Sequence, residues 1–333
     1  EQHVRLVFRL KEDTAWAAKG HLIAQWQFQI NKAKPPQDQL VAKVEFSEKS
    51  EAAYPKIHAK TGNVTAVFDK QTGSLFTYKI DGKDVLDHPL RLNFWRPPTN
   101  NDEGAKLHRK NAPWYGVLNK IKSKKVDLKD NHAHFDMSLG VGNSDATIDY
   151  YFEEDGVLLV EVRLWARKAP MIPRFGMRCI LPATQNQLTW YGLGPHENYI
   201  DRKRSAWVGT HSGTVQDLFN EYFDPQESGN RSEVRRATFS GGGRSLTFEV
   251  AGDHLLNVSA YPFDPLDIEL ARHPIDMRAA DSPFSKNKQI VVNIDFGQTG
   301  LGGTNSWGQL PLEKYRLSGD KAYAYAFRII PGS

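Results

Sequence analysis

Apolar and polar residues alternate with a period of two along much of the chain. In the segments 4–10 and 22–30, apolar side chains alternate mainly with arginine and glutamine. This alternation is typical of antiparallel strands that bury one face. The same pattern predicts further strands at 64–68, 74–80, 147–152, 158–165, 246–250, 256–261, 290–296 and 323–329.

Turn residues separate many of the predicted strands. Asp81-Gly82 and Asp155-Gly156 suit hairpin turns that need a positive φ. The run Ser240-Gly241-Gly242-Gly243 precedes a strand, whereas a phosphate-binding loop would open a helix, so it predicts a flexible turn. Helical spacing is clear only at 215–222, where Pro225 ends it. The pattern as a whole predicts an all-β fold, a sandwich or a barrel.

A polar segment without periodicity, which includes Pro35-Pro36, separates the first two predicted strands from the rest. We therefore divide the chain into residues 1–33, a linker at 34–40 and one large domain at 41–333. Two strands cannot bury a hydrophobic face on their own. Residues 1–33 are thus expected to be the last strands of a sandwich whose remainder is missing.

Composition excludes several classes of protein. The 333 residues include 17 Phe, 12 Tyr and 8 Trp, enough for a large core. The single cysteine, Cys179, excludes a disulfide scaffold and a cysteine-based metal site. No apolar run is long enough to predict a membrane span. The net charge is only +4, and the lysines at 120–125 are followed directly by acidic residues, so nucleic acid is not an expected partner.

Three segments rich in polar residues and glycine are candidates for chemistry: 96–104, 190–202 and 300–307. Loops on a rigid β scaffold often carry functional sites. Each segment also has a structural explanation. The first can be a turn closed by Asn or Asp side chains, His196 and Glu197 can be a hydrogen-bonded pair that closes a loop, and Trp307 can fill a gap in the core.

Four motifs resemble the C-terminal region of the large bacterial β-galactosidases, glycoside hydrolase family 2. They follow the family's order and cover nearly the whole chain. The motifs are TAWA at 14–17 with GH at 20–21 and QW at 25–26, RLNFWRPPTNND at 91–102, YGLGPHENY at 191–199, and GLGGTNSW at 300–307.

The resemblance implies a fold and an activity. The fold is the tail of an immunoglobulin-like domain followed by a large antiparallel two-sheet supersandwich akin to galactose mutarotase. The activity is hydrolysis of terminal β-galactosides such as lactose, with retention, which needs two carboxyl groups about 5 Å apart. In the family these are glutamates on an upstream TIM barrel, so no catalytic residue is expected on this chain. The chain would be the tail of a longer enzyme or the small subunit of a split one.

The resemblance also assigns candidate site residues. Trp307 matches the family's tryptophan that reaches into the galactose pocket, where an indole can stack on the sugar. Gly104 matches the glycine at the start of a mobile loop and is expected to be its hinge, and Asp102 beside it is a weaker substrate-binding candidate. Lys106 departs from the family, which has a small hydroxyl residue there.

Cofactors and partners follow from the same resemblance. The family's Mg²⁺ and Na⁺ bind mainly to upstream domains, so no complete metal site is expected here. The expected partners are a β-galactoside, the TIM-barrel portion of the enzyme and further copies of the full enzyme in a homo-oligomer, with no membrane and no nucleic acid. The sequence leaves a cytoplasmic and a periplasmic location both open.

Two alternative functions remain open at this stage. A mutarotase-like sandwich can act alone as an aldose epimerase, which uses a histidine as acid and a glutamate as base. His196 with Glu227, or His273 with Glu269, would supply such a pair. The other alternative is a non-catalytic carbohydrate-binding module.

Overall fold

A computed structural model describes residues 1–31, 41–51, 54–271, 273, 276, 289–305 and 307–332. The chain divides into two compact units, Glu1–Asp38 and Gln39–Ser333. No helix in the described ranges is long and apolar enough to cross a membrane.

Strands dominate the described residues. In chain order they are β1 (Gln2–Arg9), β2 (Leu22–Asn31), β3 (Glu45–Glu51), β4 (Tyr54–Thr61), β5 (Val64–Asp69), β6 (Leu75–Ile80), β7 (Lys83–Asp84), β8 (His88–Asn93), β9 (Lys122–Lys129), β10 (His132–Ser138), β11 (Asp145–Phe152), β12 (Leu158–Trp165), β13 (Arg174–Pro182), β14 (Gln187–Gly194), β15 (Trp207–Thr214), β16 (Arg231–Val234), β17 (Arg236–Gly241), β18 (Arg244–Val250), β19 (Leu256–Tyr261), β20 (Gln289–Gln298) and β21 (Ala322–Gly332). The α-helices are α1 (Asn100–Gly104), α2 (Leu107–Lys110) and α3 (Val215–Leu218). Short 3₁₀-helices lie at Ala112–Trp114, Val117–Lys120, Glu154–Gly156, Pro265–Leu270 and Glu313–Tyr315.

The first unit is a hairpin of β1 and β2 with one apolar face. Leu6 lies opposite Trp26, and Val4 lies opposite Phe28. All four side chains are more than two-fifths exposed, and the Trp26 side chain is 56% exposed. These apolar side chains are therefore exposed, and that the two strands end a larger sandwich stays a prediction.

The second unit contains two large antiparallel sheets. One has nine strands in the order β15-β14-β17-β18-β21-β12-β11-β10-β9. The other has ten strands in the order β16-β19-β20-β13-β8-β6-β5-β4-β3, with β7 paired to β6. One hydrophobic core contains buried side chains from both sheets, among them Phe68, Phe135, Phe175 and Phe327. The predicted all-β, two-sheet fold is confirmed.

Burial differs from strand to strand in these sheets. In β5, β10 and β12 buried and partly exposed residues alternate, as expected for strands with one covered face. In contrast, β13 and β20 are buried on nearly every residue. A second cluster of apolar side chains, which includes Tyr261, Phe263 and Val291, packs in this part of the unit. The lysines of β9 lie exposed on the edge strand of the nine-stranded sheet, where charge opposes edge-to-edge association.

The turn predictions are confirmed, and the helix prediction is too long. Asp81 and Asp155 both have φ above 50°, and each is followed by a glycine with positive φ. The predicted helix at 215–222 is a single turn, Val215–Leu218, because Phe219 already has extended backbone angles. The helical turns between 100 and 120 carry no helical periodicity in sequence and were not predicted.

Candidate functional site

The first candidate loop is organised by a buried ion pair. Arg96 and Asp102 are only 2% and 6% exposed, and their charged groups lie 3.0 Å apart. Asp102 also closes the capping box of α1: its carboxylate accepts from the Thr99 backbone N–H, and its own N–H donates to the Thr99 hydroxyl. The Asp102 carboxylate thus has a structural role, and substrate contact by Asp102 stays a prediction.

The first and third candidate loops are in contact. Arg96 donates to the backbone carbonyls of Thr299 and Gly300. Asn101 on α1 donates to the carbonyl of Leu301 over 3.0 Å. These bonds hold the start of the 300–307 segment against α1.

Gly104 and Gly308 mark the closest approach of these two loops. A Cβ on Gly308 would lie 2.3 Å from the carbonyl oxygen of Gly104, and a Cβ on Gly104 would lie 3.4 Å from the Cα of Gly308. Gly104 is the last residue of α1, and the left-handed conformation follows at Lys106, with φ of 58°. Close packing thus requires glycine at 308, whereas a Cβ at 104 would make only an ordinary van der Waals contact. A hinge at Gly104 stays a prediction.

The second candidate loop contacts the third through Asp201. Its carboxylate accepts from the Gly302 backbone N–H over 3.0 Å. A Cβ on Gly300 would meet the same carboxylate at 2.5 Å, so this contact requires glycine at position 300. The structure therefore brings all three sequence-predicted loops together.

A cavity of about 360 Å³ lies where these loops meet. It is lined by Thr99, Asn101, Asp201, Arg202, Tyr222, Gln226, Glu227, Leu301 and Gly302. Tyr222 and Gln226 lie outside the sequence motifs. The sequence included Tyr222 only as the last residue of the predicted helix at 215–222, and it gave no signal for Gln226.

Trp307 is the most exposed large apolar side chain beside these loops. Its side chain is 89% exposed, so it does not fill a gap in the core. Its backbone N–H and that of Gln309 both donate to the Asn305 side chain, which fixes the turn that presents the indole. Contact between Trp307 and a substrate stays a prediction.

His196 and Glu197 do not form the pair that the sequence allowed. His196 bonds to the Ser205 hydroxyl over 2.8 Å. The buried Glu197 accepts from Arg202, from Tyr222 and from the Gly229 backbone N–H. Burial raises the pKa of Tyr222 most, and the hydrogen bond to Glu197 and the charge of that residue raise it further. Arg202 opposes this rise. Glu197 closes its loop against the 222–229 segment.

Beneath the cavity, Arg174 lies between two fully buried carboxylates. Its guanidinium is 3.0 Å from Glu227 and 3.0 Å from Asp295. Glu227 also accepts from the Tyr261 hydroxyl and the Gln298 amide. Burial raises the pKa of Asp295 to about 8, and the Arg174 charge opposes that rise. Arg174 on β13 thus contacts one acid on the neighbouring strand β20 and another in the 222–229 segment.

A second cleft, of about 540 Å³, has aromatic walls. The Trp95 indole lies 5.3 Å from the Tyr115 ring and donates to Glu269 over 2.8 Å. Burial raises the pKa of Glu269, and the Trp95 hydrogen bond opposes this. Glu103 of α1 also lines the cleft, so α1 separates it from the cavity at the three loops. The sequence gave no signal for Tyr115.

The residues named for an epimerase have hydrogen-bond partners other than each other. Among the described residues no hydrogen bond joins His196 to Glu227, which is held by Arg174, Tyr261 and Gln298. No hydrogen bond joins His273 to Glu269 among these residues either, and Glu269 accepts a hydrogen bond from Trp95.

Comparison with solved structures supports the fold. The structure of galactose 1-epimerase from Lactobacillus acidophilus is similar over 87% of this chain and 99% of the epimerase, with a TM-score of 0.50 and 9% identity. At that identity the likeness concerns the fold alone.

Sequence comparison identifies the family. The chain is 33% identical to a β-galactosidase of Priestia megaterium over 98% of its own length, and 29% identical to a β-galactosidase of Lactobacillus delbrueckii subsp. bulgaricus over 96%. It spans 31% of the length of each of these two relatives. The family model described as "Beta galactosidase small chain" matches residues 60–329. The chain therefore belongs to the β-galactosidase small chain family.

Proposed function

We propose that this chain is the C-terminal part of a β-galactosidase that hydrolyses terminal β-D-galactosides such as lactose with retention. The family and the relatives named β-galactosidase support this proposal, and the chain corresponds to about a third of each relative. The two catalytic carboxylates would lie on a TIM barrel, in the same polypeptide or in a large subunit. This chain would complete the pocket and not perform the chemistry.

Trp307 is the observation that carries the proposal. An indole that is 89% exposed loses hydrophobic stabilisation unless something covers it. Galactose presents an apolar C–H face that a flat, rigid aromatic ring can cover. The loop is anchored by Arg96, Asn101 and Asp201, so the ring is displayed from a held backbone. Preorganisation of this kind favours binding, because less conformational entropy is lost when the sugar docks.

The three-loop arrangement also explains how α1 would contribute. The Gly104–Gly308 contact links the Trp307 loop to the segment that contains the proposed hinge. Movement of α1 would therefore change the support of the indole. We infer that substrate affinity depends on this packing as well as on Trp307 itself.

Activity of the isolated chain tests this division of labour. A chromogenic β-galactoside should not be hydrolysed by the chain alone, and polarimetry should detect no acceleration of galactose mutarotation. Addition of the barrel portion of the enzyme should restore hydrolysis. Hydrolysis by the purified chain that disappears on substitution of one of its own glutamates would contradict the proposal. Acceleration of mutarotation that is lost in Glu227→Gln would favour the epimerase instead.

Calorimetric titration of the chain with galactose separates the remaining alternative. A carbohydrate-binding module should bind the sugar without any barrel. The proposed role predicts that binding needs both parts, because Trp307 supplies only one wall of the pocket.

A further inference from the structure

Two histidines and an aspartate meet on one face of the nine-stranded sheet, on strands other than those that lead into the three loops. His132 and His134 are two residues apart on β10, so their side chains point to the same face. In the antiparallel pairing with β11, His134 lies directly opposite Asp149. Directly opposed residues have Cβ atoms about 5 Å apart, close enough for side chains to share one ligand.

The side chains converge on a single point. His132 Nε2 lies 2.8 Å from Asp149 Oδ1, and His134 Nδ1 lies 2.7 Å from the same oxygen. The three potential ligand atoms all lie within 4.8 Å of one another. Among the described residues this is the one group of three His, Cys, Asp or Glu side chains that is close enough to share a metal ion. Both imidazoles therefore compete for one oxygen.

The other oxygen of Asp149 is unused. The residue is 4% exposed, and Oδ2 is buried with no hydrogen-bond partner in the described part of the chain. A buried carboxylate oxygen without a donor is costly.

The surroundings position the ligands and leave them accessible. Tyr151, opposite His132, stacks on that imidazole with centroids 4.2 Å apart and an angle of 5°. The imidazoles are 28% and 23% exposed, so an ion can reach them from solvent.

Neighbouring charges partly cancel. Asp127 lies opposite His134 and is paired with Lys125, while Glu161 lies opposite Asp149 and is paired with Arg163. The two acids favour a cation at the cluster, and their lysine and arginine partners reduce that effect. Recognition would thus rest on the ligands themselves rather than on a strongly negative surface.

We propose that His132, His134 and Asp149 bind a divalent transition-metal ion of the Zn²⁺ class. Two imidazole nitrogens and one carboxylate form a three-ligand set common for Zn²⁺, which leaves a fourth position for water or an outside ligand. Ca²⁺ and Mg²⁺ prefer all-oxygen sites, so they fit this cluster poorly. The family resemblance led us to expect no complete metal site, because the family's metals bind mainly to upstream domains. These three ligands come together only through the β10–β11 register, which no local sequence pattern shows. The proposal is independent of the galactosidase function.

Metal titration of the whole chain tests the site. Calorimetry of the EDTA-treated and dialysed chain with ZnCl₂ should show one site. The paired substitution His132→Ala with His134→Ala should weaken binding at this site at least tenfold, and so should Asp149→Asn. A matched control, His21→Ala with His88→Ala, removes two exposed histidines elsewhere and should leave the affinity for Zn²⁺ unchanged. Absence of binding at 100-fold molar excess, or equal affinity in the ligand variants, would overturn the proposal.

A second readout guards against variants that fail to fold. Zn²⁺ at saturation should raise the Tm of the unsubstituted chain by about 2 °C or more, because a ligand that binds only the folded state stabilises it. Co²⁺ should give the visible absorption of a four-coordinate site with nitrogen and oxygen ligands. Visible bands that persist in a folded Asp149→Asn chain would assign the metal to other residues and overturn the proposal.

Discussion

The N-terminal hairpin and the large sandwich use the same alternating sequence pattern with opposite results. In β2 the apolar side chains Trp26, Phe28 and Ile30 are all more than half exposed. In β12 the apolar residues of the same alternation are buried in a core that both sheets share. Alternation therefore encodes a strand with an apolar face, whereas burial depends on a second layer that the local pattern does not specify.

The largest difference between the two regions should appear when a tryptophan is removed from each. Trp190→Ala removes an indole that is 1% exposed and should lower the free energy of unfolding of the sandwich by about 3–5 kcal/mol. Trp26→Ala removes an indole that is 56% exposed and should change the free energy of unfolding of the sandwich by no more than about 0.5 kcal/mol. Denaturant unfolding measures both. Equal losses in the two variants would mean that the hairpin supports the sandwich.

The second prediction concerns the fully buried carboxyl groups of the sandwich. The pKa of Asp295 is raised to about 8 in the folded protein, from 3.8. The folded state therefore holds a proton that the unfolded state releases above pH 4, and the stabilisation from this group is lost as the pH rises towards 8. The Tm should fall between pH 5 and 8, and Asp295→Asn should flatten that fall. The exposed control Asp253→Asn should keep the full pH dependence. A pH profile unchanged in Asp295→Asn would refute this assignment.

The third prediction is that the sandwich does not need the hairpin. Deletion of residues 1–33 should leave the unfolding transition of the remaining chain unchanged, because each unit is held together by contacts within itself. It should also reduce self-association, since it removes the exposed face that contains Leu6, Trp26 and Phe28. Sedimentation velocity measures the second effect. If the shortened chain did not fold, the proposed boundary at 34–40 would be wrong.

Sequence reasoning predicted the strands better than the site. Period-two patterns located β5, β12 and β20, because strand periodicity is a local property. The three loops were found through their motifs, but their mutual contacts at Arg96, Asn101 and Asp201 depend on residues up to about 200 positions apart. No local pattern contains that information.

The remaining errors have the same origin. The helix predicted at 215–222 was too long, because the same apolar spacing is compatible with the extended backbone that begins at Phe219. There the Phe219 ring packs against Tyr261 and Phe263. The His132–His134–Asp149 cluster was not predicted because its third member comes from another strand. Tertiary packing decides both cases.

The most direct test of the account is the kinetic effect of Trp307→Ala in the complete enzyme of which this chain is proposed to be the C-terminal part. Loss of a stacking surface should lower kcat/KM for a β-galactoside at least tenfold, which corresponds to about 1.4 kcal/mol. The Tm of the isolated chain should barely change, because the ring is 89% exposed. Trp16→Ala, which removes an indole that is 66% exposed in the hairpin, is the matched control and should leave both quantities unchanged. Normal kinetics in Trp307→Ala, or a chain that unfolds on this substitution, would contradict the proposed role of Trp307 in the galactose pocket.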